Sequence, residues 1–82
     1  QLLRLKADYD IIIPLGDIVD YIGIKFPSTD DGDDGSIDFI EVKTNNSRLS
    51  PAQKKFKSLI LNKYIGFKQV TVKLNDINKE LN

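Results

Sequence analysis

Along the first half of the chain, apolar and polar side chains follow a period of two; a helical period takes over only after Ser50. Tyr9 to Ile13 is a short β-rich run that Pro14 and Gly16 stop. Ile18 to Phe26 reads as a longer strand, with Ile18, Asp20, Ile22, Ile24 and Phe26 on one face. Pro27 to Gly35 is a loop rich in aspartate and glycine. Ser36 to Thr44 is the next strand, apolar on both sides as a central strand should be. A polar loop over Asn45 to Leu49 then leads into a helix.

The helix start is written in the chain: Ser50 suits the N-cap, Pro51 the first helical position, and Gln53 completes a capping box. Ala52, Phe56, Leu59, Ile60 and the stem of Lys63 form the expected core stripe, leaving Lys54, Lys55 and Lys57 mostly outside it, and Gly66 is the expected stop. Phe67 to Leu74 reads as a last strand with Val70, Val72 and Leu74 inward, followed by a polar tail over residues 75–82. Hairpin strands run antiparallel, whereas a helical crossover returns the next strand parallel. The expected fold class is α/β: a small mixed β-sheet, made of a hairpin plus a βαβ crossover, with one helix packed on it.

A length of 82 residues allows one domain with a modest core, residues 1–82 as a unit. Gln1 in place of an initiating Met is expected of a fragment of a longer protein. The absence of cysteine excludes disulfides and thiolate metal sites, and the absence of histidine excludes imidazole-bound zinc and histidine acid–base catalysis. An enzyme built from this chain must therefore work with carboxylates, lysine and water. No apolar run approaches the roughly 20 residues that cross a bilayer, and no signal-peptide pattern is present, so no membrane contact is expected from this segment. The formal net charge of zero hides a polarised chain, because residues 1–41 hold 3 basic and 10 acidic side chains and residues 42–82 hold 9 and 2. The first half suits cations and the second an anionic polymer, unless folding intermixes the two signs.

Asp20 stands in the middle of an otherwise apolar strand face. A carboxylate there needs compensation, from a lysine, from a backbone turn that it caps, or from a cation. Glu41 and Lys43 alternate onto the face that holds Ile37 and Phe39, and antiparallel pairing can bring Asp20 beside Glu41. An ordinary cross-strand ion pair would suit a solvated face, but the apolar neighbours Phe39, Ile40 and Val42 argue against one. Two carboxylates in an apolar sheet repel each other unless a divalent cation sits between them, and a lysine at their side can act on a water bound to it.

Asp20, then Glu41-x-Lys43, then a helix opening with Gln53 resembles the PD-(D/E)xK nuclease superfamily, and within it the archaeal Holliday-junction-resolvase-related endonucleases. The similar stretches are Pro14-Leu-Gly-Asp-Ile-Val-Asp20-Tyr-Ile and Phe39-Ile-Glu-Val-Lys-Thr44, followed by Arg48-Leu-Ser-Pro-Ala-Gln53. The resemblance implies a restriction-endonuclease-like core and metal-dependent cleavage of DNA, with branched, Holliday-junction-like DNA among the possible substrates. It implies that Asp20, Glu41 and the backbone carbonyl of Val42 bind Mg2+ or Mn2+, that Lys43 acts on the attacking water and the phosphate, and that Gln53 lines the site as a fourth catalytic residue. Arg48, Ser50, Lys54, Lys55 and Lys57 are the candidates for holding the nucleic-acid backbone, the alternative for the three helix lysines being a solvated face. A homodimer and an intracellular, cytoplasmic location are the matching expectations.

Two features depart from the pattern. Related resolvases carry an acidic residue in a helix before the first strand, and only eight residues precede Tyr9. Lys57 stands where relatives with a Gln-xxx-Tyr motif have tyrosine. A non-catalytic DNA-binding or assembly module that keeps the fold is therefore the alternative. Asp30 to Glu41 also resembles a calcium-binding EF-hand loop, but that loop needs a helix on each side, and Gly23, Pro27 and the β-branched flanks supply none. A calcium-binding hairpin is the third reading.

Overall fold

The computed structural model describes residues 2–73. Its elements run α1 (Leu2–Asp8), β1 (Ile11–Pro14), β2 (Tyr21–Lys25), β3 (Ser36–Ile40) and α2 (Pro51–Leu61). The three strands form one sheet in the order β1-β2-β3, antiparallel throughout.

The register follows the two-residue alternation. Ile11 pairs with Ile24 and Ile24 with Ile37, while Ile13 pairs with Ile22 and Ile22 with Phe39, so these side chains share one face. Helix α2 covers the Phe39 end of that face, where the rings of Phe39 and Phe56 meet edge to face with centroids 4.9 Å apart. The cover stops there. Ile37 is 65% exposed, and no apolar side chain is fully buried among the described residues.

On the opposite face, Ile12, Gly23 and Asp38 lie side by side. The Tyr9 ring crosses above Gly23, where an added Cβ would come within 2.8 Å of ring carbons, and its hydroxyl donates to Asp38 Oδ2 at 2.5 Å. The hydrogen bond to the Asp38 carboxylate, then burial, push the Tyr9 hydroxyl up to about 12. Its contribution to stability is complete below the ordinary tyrosine value of 10.0 and is lost as the pH rises through about 12. Spectrophotometric titration of the three tyrosines should show one ionising late. In Gly23→Ala that late step should return towards the ordinary value, because the methyl group displaces the ring.

Several expected boundaries move. Helix α1 forms over residues for which no element was expected, and its last residue is Asp8. Strand β1 begins at Ile11 rather than Tyr9, because Asp10 turns its carboxylate to the N–H of Phe26 at 2.8 Å. Strand β2 starts at Tyr21 rather than Ile18, since Ile18 has a φ of 63° and cannot continue a strand. Strand β3 stops at Ile40 rather than Thr44. Opposite Val42 the backbone ladder gives way to a side chain, with Asp20 Oδ2 accepting the Val42 N–H at 2.8 Å.

Helix α2 ends at Leu61, well before Gly66: Asn62 caps it through Nδ2 to Ser58 O at 2.9 Å, and Lys63 takes a φ of 64°. Its inward stripe is narrower than expected, with Phe56 and Ile60 half-buried but Ala52, Leu59 and Lys63 exposed.

The parallel crossover strand does not form among the described residues. Phe67 is 91% exposed and Val70 78%, and residues 67–73 belong to no strand. Among the described residues the sheet is therefore not mixed, and Leu74 and the expected tail lie outside them. Alternation specifies which side chains share a face, but a strand also needs a backbone partner, and the chain leaves α2 without meeting the β3 edge.

Candidate active site

The turn between β1 and β2 builds one side of the site. Leu15 N–H donates to Asp20 O at 2.8 Å, closing the turn, and Asp20 N–H donates to Ile40 O at 3.0 Å, tying it to β3. Inside the turn, Ile18 adopts the left-handed conformation, which costs a β-branched residue on the order of 1–3 kcal/mol. Asp17 stabilises it locally, since its Oδ1 accepts the Ile18 N–H at 2.7 Å and its backbone carbonyl accepts the Val19 N–H at 2.8 Å. Asp20 emerges half-buried on the apolar side of the sheet. One of its oxygens satisfies the backbone of Val42, so capping explains part of its compensation.

Glu41 meets Asp20 there. Its Oε2 accepts from Gln53 Nε2 at 2.7 Å and lies 3.1 Å from Lys43 Nζ, with side-chain exposures of 16% for Glu41 and 33% for Lys43. The Gln53 hydrogen bond, then the Lys43 contact, hold the Glu41 carboxyl below its ordinary value, and Asp20 is a further side-chain partner in the same direction. A lowered folded value means that the stabilisation is complete above the ordinary glutamate value of 4.5 and is lost as the pH falls through the lower one. Melting curves across the acid range should therefore fall less steeply for Glu41→Gln than for wild type.

Gln53 is engaged at both ends. Its Oε1 accepts the Ser50 N–H at 3.0 Å while Ser50 Oγ accepts the Gln53 N–H at 3.2 Å, completing the capping box that the sequence spells. Its Nε2 donates to Glu41 and also to Ile18 O at 2.7 Å. Exchanging the amide atoms would set N–H against N–H at Ser50 and oxygen against oxygen at Glu41 and Ile18, so the orientation is fixed. Gln53 therefore presents donors to the site and keeps its own oxygen in the helix cap. It can hold Glu41, but it does not offer an oxygen to a cation.

The structure thus brings Asp20, Glu41 and Gln53 together around a cavity of about 240 Å3, which Asp17 also lines, with Lys43 joined to the group through Glu41. Asp17 and Ile18 are the members that sequence reading missed; a β-branched residue in a left-handed turn leaves no local signal. Ser50 sits at the helix start with its hydroxyl hydrogen still available to donate, while Arg48, Lys54, Lys55 and Lys57 are exposed. Lys57 borders an apolar groove lined by Ile37, Phe39, Phe56 and Ile60 among others. Asp8, although helical, acts on the Tyr9 hydroxyl and is not among the groups acting on Glu41.

The acidic loop over residues 26–35 is a hairpin tip between strands β2 and β3. Its carboxylates serve its own backbone, Asp31 Oδ1 accepting from Asp33 N–H at 3.0 Å and Asp33 Oδ1 from Gly35 N–H at 2.7 Å. Gly35 has a φ of 85° beside Lys25 O, a place that only glycine fits. No set of three or more acidic side chains is arranged to hold a metal among the described residues.

A divalent cation at this site would have two carboxylates to hold it, with backbone oxygen or water completing the shell. The donor set fits: one oxygen of Asp20 and one of Glu41 have no hydrogen-bond donor among the described residues. Mg2+ takes one or two carboxylates and keeps several waters, so two hard oxygens suit it, as they suit Mn2+.

The family model for the endonuclease related to archaeal Holliday junction resolvase matches residues 3–72. That range runs from α1 through α2 and takes in every residue of the site. No curated protein and no solved structure matches significantly. The chain belongs to the family of endonucleases related to archaeal Holliday junction resolvase.

Proposed function

We propose that the protein is a Mg2+- or Mn2+-dependent endodeoxyribonuclease acting on branched, Holliday-junction-like DNA, with the PD-(D/E)xK arrangement of acids and lysine. The reading rests on one observation: Asp20 and Glu41 come together beside Lys43, each with an uncommitted oxygen. A divalent cation at that position lowers the pKa of bound water and screens the charge of a phosphodiester. Asp20, Glu41 and the Val42 carbonyl would hold it. Lys43 places its ammonium where a phosphate would sit and steadies the negative charge that grows there. Gln53 acts at one remove, keeping Glu41 in position.

Arg48, Lys54, Lys55 and Lys57 provide the positive contacts to the DNA backbone, and the Ser50 hydroxyl with the one N–H that the cap leaves open, that of Ala52, receives a phosphate. Cutting both strands of a junction needs two such sites, which a homodimer supplies. The exposed apolar residues of the sheet face are consistent with a covering partner.

Plasmid and a synthetic four-way junction, incubated with the protein in Mg2+, Mn2+, Ca2+ or EDTA, test the activity. Cleavage in Mg2+ or Mn2+ and none in EDTA is the expected result; DNA binding without cleavage in any metal would assign a non-catalytic module instead. Light scattering tests the assembly, and a strict monomer would leave nicking as the preferred activity.

A further inference from the structure

We propose that Asp17 is a positioning residue for the acidic pair, acting through the left-handed turn at Ile18 and the side-chain amide of Gln53. The proposal rests on the nuclease reading of Asp20 and Glu41, but its geometry is independent of any metal. The Asp17 carboxylate accepts the Ile18 N–H at 2.7 Å, fixing the peptide plane between the two residues, and the carbonyl of that same plane accepts the Val19 N–H at 2.8 Å, closing the turn in which Ile18 has a φ of 63°. In that conformation the Ile18 carbonyl meets Gln53 Nε2 at 2.7 Å, and the same nitrogen donates to Glu41 Oε2 at 2.7 Å.

The amide has two hydrogens, and the two acceptors take one each. Losing the Ile18 carbonyl as an acceptor frees the amide to rotate away from Glu41, while relaxing the turn shifts Asp20, which closes it just before β2. Both carboxylates thus depend on one turn. Asp17 makes no hydrogen bond to Glu41 or Gln53 and acts only through the backbone next to it. Partners bonded directly to metal ligands are worth roughly 10–100-fold in metal affinity or activity, and Asp17, which acts through such a partner, is expected at the lower end of that range.

The chemistry prescribes which variants separate the turn from the charge. Asp17→Asn keeps a side-chain oxygen for the Ile18 N–H and should behave like wild type. Asp17→Ala removes it. Ile18→Gly adopts a positive φ without help, so the double variant Asp17→Ala/Ile18→Gly should recover what Asp17→Ala loses.

Two readouts decide the matter: Mn2+ affinity by calorimetry, and hydrogen exchange of the Gln53 side-chain amide in the metal-free protein. Asp17→Ala should weaken Mn2+ binding by roughly tenfold or more and lose Gln53 protection, with Asp17→Asn and the double variant near wild type. Wild-type affinity and protection in Asp17→Ala would overturn the proposal, as would equal damage in Asp17→Asn. If wild type binds no Mn2+, the metal reading fails, and the Gln53 exchange pattern alone still decides the positioning link. If Asp17→Ala does not fold, a folded double variant with a protected Gln53 amide supports the link, and a double variant that fails to fold overturns it.

Discussion

Asp20→Asn is expected to abolish DNA cleavage, by about 10³-fold or more, while folding as wild type does. The two effects separate because the two oxygens of Asp20 have different tasks. One accepts the Val42 N–H, and an asparagine oxygen can accept the same bond. The other has no donor among the described residues, and the proposed cation needs a charged oxygen there. Glu41→Gln should be equally inactive. Its fold should persist, because the amide oxygen of the variant can still accept from Gln53 Nε2 even as the Lys43 contact weakens. Junction cleavage with excess enzyme, paired with a melting curve for each variant, makes the measurement. Wild-type turnover in either variant would remove Asp20 and Glu41 from the reaction.

Lys43→Ala should lower kcat by about 10²–10³-fold with DNA affinity changed by no more than a few-fold. The Lys43 ammonium is already paired with Glu41 at 3.1 Å, so in the resting protein much of its charge is balanced within the site. Its stabilisation grows only as negative charge builds on the phosphate, and an interaction stronger in the transition state than in the ground state appears in kcat. The exposed lysines of α2 should show the opposite split. A Lys54→Ala/Lys55→Ala variant should bind DNA more weakly, with a shallower salt dependence, and turn over normally at saturation. A Lys43→Ala variant with weakened binding and normal saturated turnover would make Lys43 a phosphate clamp.

The start of α2 and the faces of β2 and β3 were legible in the chain because their causes lie within a few residues of one another. Ser50 and Gln53 bond each other across three positions, and the alternation that puts Ile22 and Ile24 beside Ile37 and Phe39 is a property of extended backbone. The same alternation placed Asp20, Glu41 and Lys43 on one face, and the structure brings them together. Their roles in chemistry await the experiments above. The family, too, was legible, since the residues that carry the resemblance fall within the matched range.

Other features depended on contacts between distant residues. Helix α1 has no acidic residue in its first turn to announce it, and the crossing of Tyr9 over Gly23 to Asp38 joins the link between α1 and β1 to strands β2 and β3. Strand β3 ends where Asp20, 22 residues earlier, replaces a backbone partner with a carboxylate. The segment after α2 has the apolar pattern of a strand yet pairs with nothing among the described residues, because periodicity names a face and cannot name a neighbour. Gln53 shows the division within one side chain. Its oxygen obeys the local capping code, whereas its nitrogen joins Ile18 to Glu41, 35 and 12 residues away, a geometry that exists only once the turn, the sheet and the helix have met.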